Sequence, residues 1–73
     1  MNYDIFGGDN GNYKITEGNK VAPVAFARRN QTGGGYTVER ADKSKSIQIR
    51  NLPATETSAQ QAAEIMKLLE GVE

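Results

Sequence analysis

The sequence lacks several residue types that most enzymes and metal sites depend on. Its 73 residues include no cysteine, no histidine and no tryptophan, and only two prolines. Without cysteine the chain can form neither a disulfide nor a thiolate zinc site. Without histidine and cysteine it also lacks the commonest general base and the commonest low-pKa nucleophile. We therefore predict a non-catalytic protein that needs no cofactor and no metal.

The sequence also has no long apolar run. No stretch approaches the roughly 20 apolar residues of a membrane-spanning helix, and the first ten residues have neither the basic nor the apolar segment of a secretory signal. We therefore expect a soluble cytoplasmic protein that does not contact a membrane. The length predicts one domain, residues 1–73, of a size that buries only about 60% of its unfolded surface. A homodimer that extends the core is an open alternative.

One segment, residues 57–71, has a sustained helical period. Thr57 or Ser58 can cap its start, and Gly71 ends it. At 100° per residue its apolar positions share one face: Ala59, Ala62, Ile65, Met66, Leu69 and Val72. Because a single apolar stripe needs a partner surface, we expect this helix to pack on a sheet formed by the rest of the chain.

The preceding residues predict short strands separated by turn residues. The candidate strands are residues 2–6, 12–17, 20–29, 36–41 and 46–52. We therefore predict an α+β fold, a four- to five-stranded antiparallel β-meander with one C-terminal α-helix packed on one face. Gly18 and Asn19 have the composition of a two-residue hairpin turn. Pro23 cannot donate to a ladder, so the strand that contains it is predicted to lie at an edge or to carry a bulge near its start.

Strict alternation assigns one side of each strand to the helix. The predicted helix side consists of apolar and aromatic residues: Tyr13, Ile15, Val24, Phe26, Tyr36, Val38, Ile47 and Ile49. The predicted open side is small, polar and basic: Lys14, Thr16, Ala25, Ala27, Arg29, Thr37, Glu39, Gln48 and Arg50. A slip of one residue in any strand would reverse the assignment of that strand.

The charges are unevenly distributed although the net charge is zero. Residues 1–19 carry a net charge of −2, residues 20–50 carry +5 and residues 51–73 carry −3. A basic middle can attract an anionic partner, although an ordinary solvated surface would also look like this. We predict binding of nucleic acid, in particular of a single strand, through the open side and adjacent loops. The predicted site combines cations for phosphates with a tyrosine for base stacking: Arg28, Arg29, Tyr36, Lys43, Lys45 and Arg50.

The predicted order of strands followed by one helix resembles the layout of single-strand-binding transcriptional coactivators and of the whirly proteins. This is a likeness of element order, carried by no residue motif, and it implies a single-strand-binding function. Tyr3 is a second candidate for base stacking, if it is exposed.

A protein partner is the alternative to nucleic acid. In that interpretation the chain is a small accessory or inhibitor protein, for example of phage or mobile-element type. Residues 21–27 would offer an edge strand to a partner, since they are extended and carry little charge. Leu68, at the flank of the helix stripe, would add an apolar contact if it is exposed, and otherwise widens the core contact.

Two further segments have a composition that suggests a binding site. Gly33, Gly34 and Gly35 do not form a phosphate-binding loop of the helix-N-terminal kind, because a strand follows them. Residues 9–12 lack the alternating acidic positions and the closing glutamate of a calcium loop. We therefore predict a flexible loop at residues 30–35 and a turn at residues 9–12.

Overall fold

The predicted meander is present in a computed structural model of the chain, which describes residues 2–18 and 21–71. It contains five strands, one α-helix and a single 3₁₀ turn (Asp9–Gly11) between the first two strands: β1 (Tyr3–Gly7), β2 (Asn12–Glu17), β3 (Ala25–Arg29), β4 (Tyr36–Arg40), β5 (Ser46–Ile49) and α1 (Ser58–Glu70). The strands pair antiparallel in chain order, β1-β2-β3-β4-β5. The predicted α+β fold is thereby confirmed, with five strands and α1 packed against the sheet.

The third strand starts later than predicted, and the edge position, one of the two alternatives that Pro23 left open, is wrong. β3 begins at Ala25, after Pro23, and it pairs with β2 on one side and β4 on the other. It is therefore the central strand, and residues 21–27 do not form a free edge. Because proline removes a ladder donor, regular pairing starts only beyond it. Asn19 and Lys20, in the predicted turn and at the predicted strand start, lie outside the described residues.

The side of β3 that faces the helix was also predicted wrongly. Ala25 and Ala27 are fully buried in the core, so the intervening Phe26 points to the open side. α1 contacts β1 at one end of the sheet and also β4 and β5 at the other, which requires the sheet to curl around the helix. A concave surface has little room at its centre, and two alanines fit there where a phenylalanine would not.

The core lies between the concave side of the sheet and α1. Its buried residues are all apolar: Ile5, Ile15, Ala25, Ala27, Val38, Ala62, Ile65, Met66 and Leu69. The helical stripe is thus confirmed from Ala62 to Leu69. Ala59, however, is exposed in the first turn, and Val72 lies outside the described residues. Leu68 is 47% exposed, so it does not widen the core contact.

Both ends of α1 are fixed by side chains. The Thr57 hydroxyl accepts a hydrogen bond from the Gln60 backbone N–H at 3.1 Å, which confirms Thr57 as the N-cap. At the other end, Arg40 forms a salt bridge with Glu70, and Lys45 Nζ donates to the Glu70 carbonyl oxygen at 3.1 Å. These contacts join the last turn of the helix to the hairpin between β4 and β5. Over the described part of the chain, no helix is long and apolar enough to cross a membrane.

Candidate nucleic-acid interface

The open side of the sheet carries two aromatic rings, one exposed and one partly buried, with a lysine between them. Phe6 of β1 is the register partner of Lys14 of β2, and Lys14 is in turn the register partner of Phe26 of β3. Side chains at such partner positions are close neighbours on one face, with Cβ atoms about 5 Å apart. Phe6 is 57% exposed. We call Phe6, Lys14 and Phe26 the aromatic platform; Phe6 and Lys14 are exposed, and Phe26 is partly buried.

A shallow hollow next to the platform adds two further cations. It has a volume of about 420 Å³ and is lined by Phe26, Arg28, Glu39 and Lys43. Arg28 Nη2 lies 3.7 Å from Glu39 Oε1, and the Arg28 side chain is 60% exposed. An ion pair of this length at the surface contributes little stability, about 0–1 kcal/mol. The Arg28 guanidinium is therefore free to exchange Glu39 for a stronger anion.

A second and larger hollow opens where β2, β3 and β4 approach their loops. We call it the loop-end hollow; its volume is about 620 Å³. Its lining is polar or cationic throughout: Asn10, Asn12, Arg28, Arg29, Asn30, Gln31 and Thr37. Asn12, Arg28 and Thr37 are register partners in adjacent strands. They lie on the open side, two residues along the strands from the platform. Arg28 lines both hollows, so the platform and the loop-end hollow form one continuous surface.

Asn30 holds the loop between β3 and β4 in one shape. Its backbone N–H donates to the Gly35 carbonyl at 2.9 Å, and its side-chain Nδ2 donates to the Gly34 carbonyl at 3.0 Å. Its Oδ1 accepts from the Thr37 hydroxyl at 2.6 Å. Gly35 has a φ of +77°, and a Cβ there would lie 2.7 Å from the Ile49 carbonyl oxygen. Glycine is therefore required at this position, and the loop is built to lie close to β5.

Arg29 is held from two sides. A Cβ on Gly11, whose φ is +78°, would lie 2.6 Å from Arg29 Cβ, so the β1–β2 turn rests directly on the arginine stem. The Arg29 guanidinium carbon lies 6.0 Å from the centre of the Tyr36 ring, within range of a cation–π contact. Tyr36 in turn meets Tyr13 edge-on with ring centres 6.2 Å apart. The head group of Arg29 is therefore supported by an aromatic pair.

The structure separates the six residues predicted for the site. Arg28 and Arg29 line the loop-end hollow, and Arg50 lines a smaller neighbouring hollow that also includes Asn30. Tyr36 supports Arg29 from the helix side of the sheet. Lys43 reaches the hollow beside Phe26. Lys45 lies apart from these, at the C-terminal end of α1.

Arg29 was predicted to lie on the open side of the sheet, and this was wrong. It shares the side of the buried Ala27 because the whole of β3 is reversed relative to the prediction. Arg29 is nevertheless exposed.

Sequence reasoning missed the two aromatic residues of the platform. The sequence does indicate that Phe6 points away from the core, because Tyr3 and Ile5 alternate with it along β1 and belong to the core side. For Phe26 the only such signal is the pair of flanking alanines, which occupy the core side. Hydrophobicity alone favours placing a phenylalanine inward. Tyr3, the other stacking candidate, is partly buried against the core and is not on the platform.

The donor chemistry of this surface is cationic and amide-based. In the described ranges 2–18 and 21–71, no group of three or more acidic, histidine or cysteine residues is arranged to hold a metal ion. Comparisons of the chain with protein-family models, with curated proteins and with solved structures found no match.

Proposed function

We propose that this protein is a non-catalytic module that binds single-stranded nucleic acid on the open side of its sheet. Phe6 and Phe26 stack on bases, while Lys14, Arg28 and Lys43 contact phosphates. The observation that carries the proposal is the register-matched row of Phe6, Lys14 and Phe26, because alternating rings and cations are the two elements that single-strand binding requires.

A single strand suits this surface better than a duplex. The rings of Phe6 and Phe26 lie two strand spacings apart, roughly 10 Å, which leaves space for a separate base on each. Bases inside a duplex are stacked on one another and cannot lie flat on a protein ring. The carboxylates of Asp4 and Glu39 lie on the same face of the sheet and repel phosphates. We therefore expect modest affinity for nucleic acid, with a Kd on the order of 10⁻⁴ to 10⁻⁶ M at physiological salt.

The test is binding of a fluorescent single-stranded oligonucleotide at several salt concentrations. We expect affinity to fall with salt, and we expect Arg28→Ala to weaken binding and to reduce the salt slope by about 0.7, the contribution of one phosphate contact on a single strand. Lys67→Ala, which removes an exposed cation from α1, is the matched control and should change neither quantity. No measurable binding of either DNA or RNA at low salt would exclude the proposal.

A protein partner is the second candidate, and one observation favours it. Leu68 is 47% exposed on the flank of α1, where a large apolar side chain has no role in the core. In this interpretation a small accessory or inhibitor protein uses the helix flank, because residues 25–27 are already paired on both sides and residues 21–24 form no strand. Light scattering of the wild type and of Leu68→Asp tests whether a second copy occupies this site. A monomeric wild type would exclude a homodimer through the helix flank.

A further inference from the structure

The loop-end hollow has the chemistry of a phosphate site. Its lining supplies two guanidinium groups, four side-chain amides and one hydroxyl, and it includes no carboxylate. Guanidinium groups bind phosphate oxygens with paired, charge-assisted hydrogen bonds. Amide groups can add N–H donors to the same oxygens or contact a sugar hydroxyl. A hollow so lined discriminates against cations and favours a compact anion.

No acidic side chain among the described residues forms a salt bridge with Arg29. Where the structure describes the chain, the salt bridges of arginines and lysines join Arg28 to Glu39, Arg40 to both Asp42 and Glu70, and Lys45 to Glu70. Neither Arg29 nor Arg50 takes part in one within these residues. A guanidinium that is exposed but held in place by an aromatic ring loses little side-chain freedom on binding an anion.

The hollow is also preorganised. Asn30 is fixed by three hydrogen bonds, to Gly35, Gly34 and Thr37, and Gly11 sets the position of the Arg29 stem. A binding site whose walls are already ordered spends less entropy when it closes on its ligand. The structure therefore presents two independent features, unpaired cationic charge and a rigid polar lining, at one place.

We infer that the loop-end hollow binds a phosphate group of the strand whose bases lie on the aromatic platform. This inference rests on the proposed function and names where the backbone of the strand is held. Arg28 connects the two parts, since it lines the hollow beside Phe26 and the loop-end hollow alike. A strand crossing from Phe26 to the end of β3 therefore brings a phosphate to Arg28 and Arg29.

The chemistry fits a terminal phosphate and an internal phosphodiester equally. The two sources are distinguished with one oligonucleotide prepared with and without a 5′-phosphate. If Arg29→Gln weakens both forms equally, the hollow holds an internal phosphodiester. If it weakens only the phosphorylated form, the hollow holds the terminal group.

The decisive experiment combines oligonucleotide binding with NMR titration of inorganic phosphate. We expect Arg29→Gln to weaken oligonucleotide binding about 5- to 30-fold, as expected for a lost charge-assisted contact. Phosphate should shift the amide signals of Asn10, Asn12 and Asn30 in the wild type and not in Arg29→Gln. Arg29→Lys, which keeps the charge but not the fork of donors, should recover part of the affinity, and Lys67→Gln should resemble the wild type. Thermal unfolding confirms that each variant is folded.

The two proposals fail in different ways. Unchanged oligonucleotide affinity in Arg29→Gln, while Phe26→Ala loses binding, would overturn the inference and leave the proposed function standing. Phosphate shifts in the hollow without any oligonucleotide binding would overturn both, since the inference requires the bound strand.

Discussion

Phe26 lies directly opposite Lys14 in the ladder between β2 and β3, on the side of the sheet that α1 leaves open. The pair places an apolar ring beside a cation at the centre of the surface. Because Ala25 and Ala27 supply the core contacts of β3, this ring is not needed to fill the interior. The position of Phe26 is therefore better explained by an external contact than by packing.

Phe26→Ala should reduce affinity for single-stranded oligonucleotides by about 1–3 kcal/mol, the usual contribution of one base stacked on an aromatic ring. Thr16→Ala, on the same face but away from the hollows, is the control and should bind like the wild type. Binding isotherms at constant salt measure the difference. Equal affinities for Phe26→Ala and the wild type would remove the platform from the site.

Glu39→Gln should strengthen oligonucleotide binding. The substitution removes the carboxylate that lies 3.7 Å from Arg28. The Arg28 guanidinium then no longer has to give up Glu39 in order to contact a phosphate. We expect a gain of about 0.5 kcal/mol, typical of an exposed pair, with a steeper salt dependence. Glu64→Gln removes an exposed carboxylate from α1 and should have no effect. Weaker binding by Glu39→Gln would show that the carboxylate itself contacts the ligand.

Lys43→Gly should separate stability from binding. Lys43 has a φ of +64°, a left-handed conformation that is unfavourable for a lysine and favourable for glycine. We expect the free energy of unfolding to rise by up to about 1 kcal/mol, while oligonucleotide affinity falls because one cation is lost. Chemical denaturation and binding on the same sample test both. A variant that is less stable would contradict this account of the turn.

Leu69→Ala and Leu68→Ala are a matched pair on the helix. Leu69 is fully buried, and its truncation should lower the free energy of unfolding by about 2–5 kcal/mol. Leu68 is about half exposed and should cost less than about 1 kcal/mol when truncated. Denaturant titrations give both values. Similar losses at the two positions would mean that α1 is rotated about its axis relative to the packing described above.

Ser44→Ala should have an effect that depends on pH. The Ser44 hydroxyl and backbone N–H both donate to Asp42, and these hydrogen bonds hold the pKa of Asp42 below its usual value of 3.8. A lowered pKa in the folded state stabilises the fold above pH 3.8, and this contribution is lost as the pH falls through the folded-state value. The melting temperatures of Ser44→Ala and the wild type should therefore differ at neutral pH and converge in acid. A difference that grows in acid would contradict this.

Local signals predicted most of the fold. Thr57 caps the helix and Gly71 follows its last residue, as the sequence indicates, because capping depends on neighbours only a few residues apart. The order of strands followed from turn residues between alternating segments. Local signals do not predict which side of β3 faces the helix, because that side depends on the curl of the sheet. The curl is set by the contacts of α1 with both β1 and β5.

The charge of the candidate site could be predicted from the sequence, but its arrangement could not. Arg28, Arg29 and Arg50 reach neighbouring hollows at one end of the sheet, which the excess of cations in the middle of the chain anticipates. Lys45 belongs to the same basic segment, yet it is 25 residues away in sequence from its partner Glu70. No local pattern reveals a contact at that separation. Phe26 escaped prediction because its orientation is a property of the whole sheet.

Arg40 and Lys45 both contact Glu70, and this has a mechanical consequence. The hairpin that presents Lys43 cannot tilt without pulling on the final turn of α1. A ligand that immobilises this hairpin should therefore slow amide hydrogen exchange at the C-terminal end of the helix, on the far side of the sheet from the ligand.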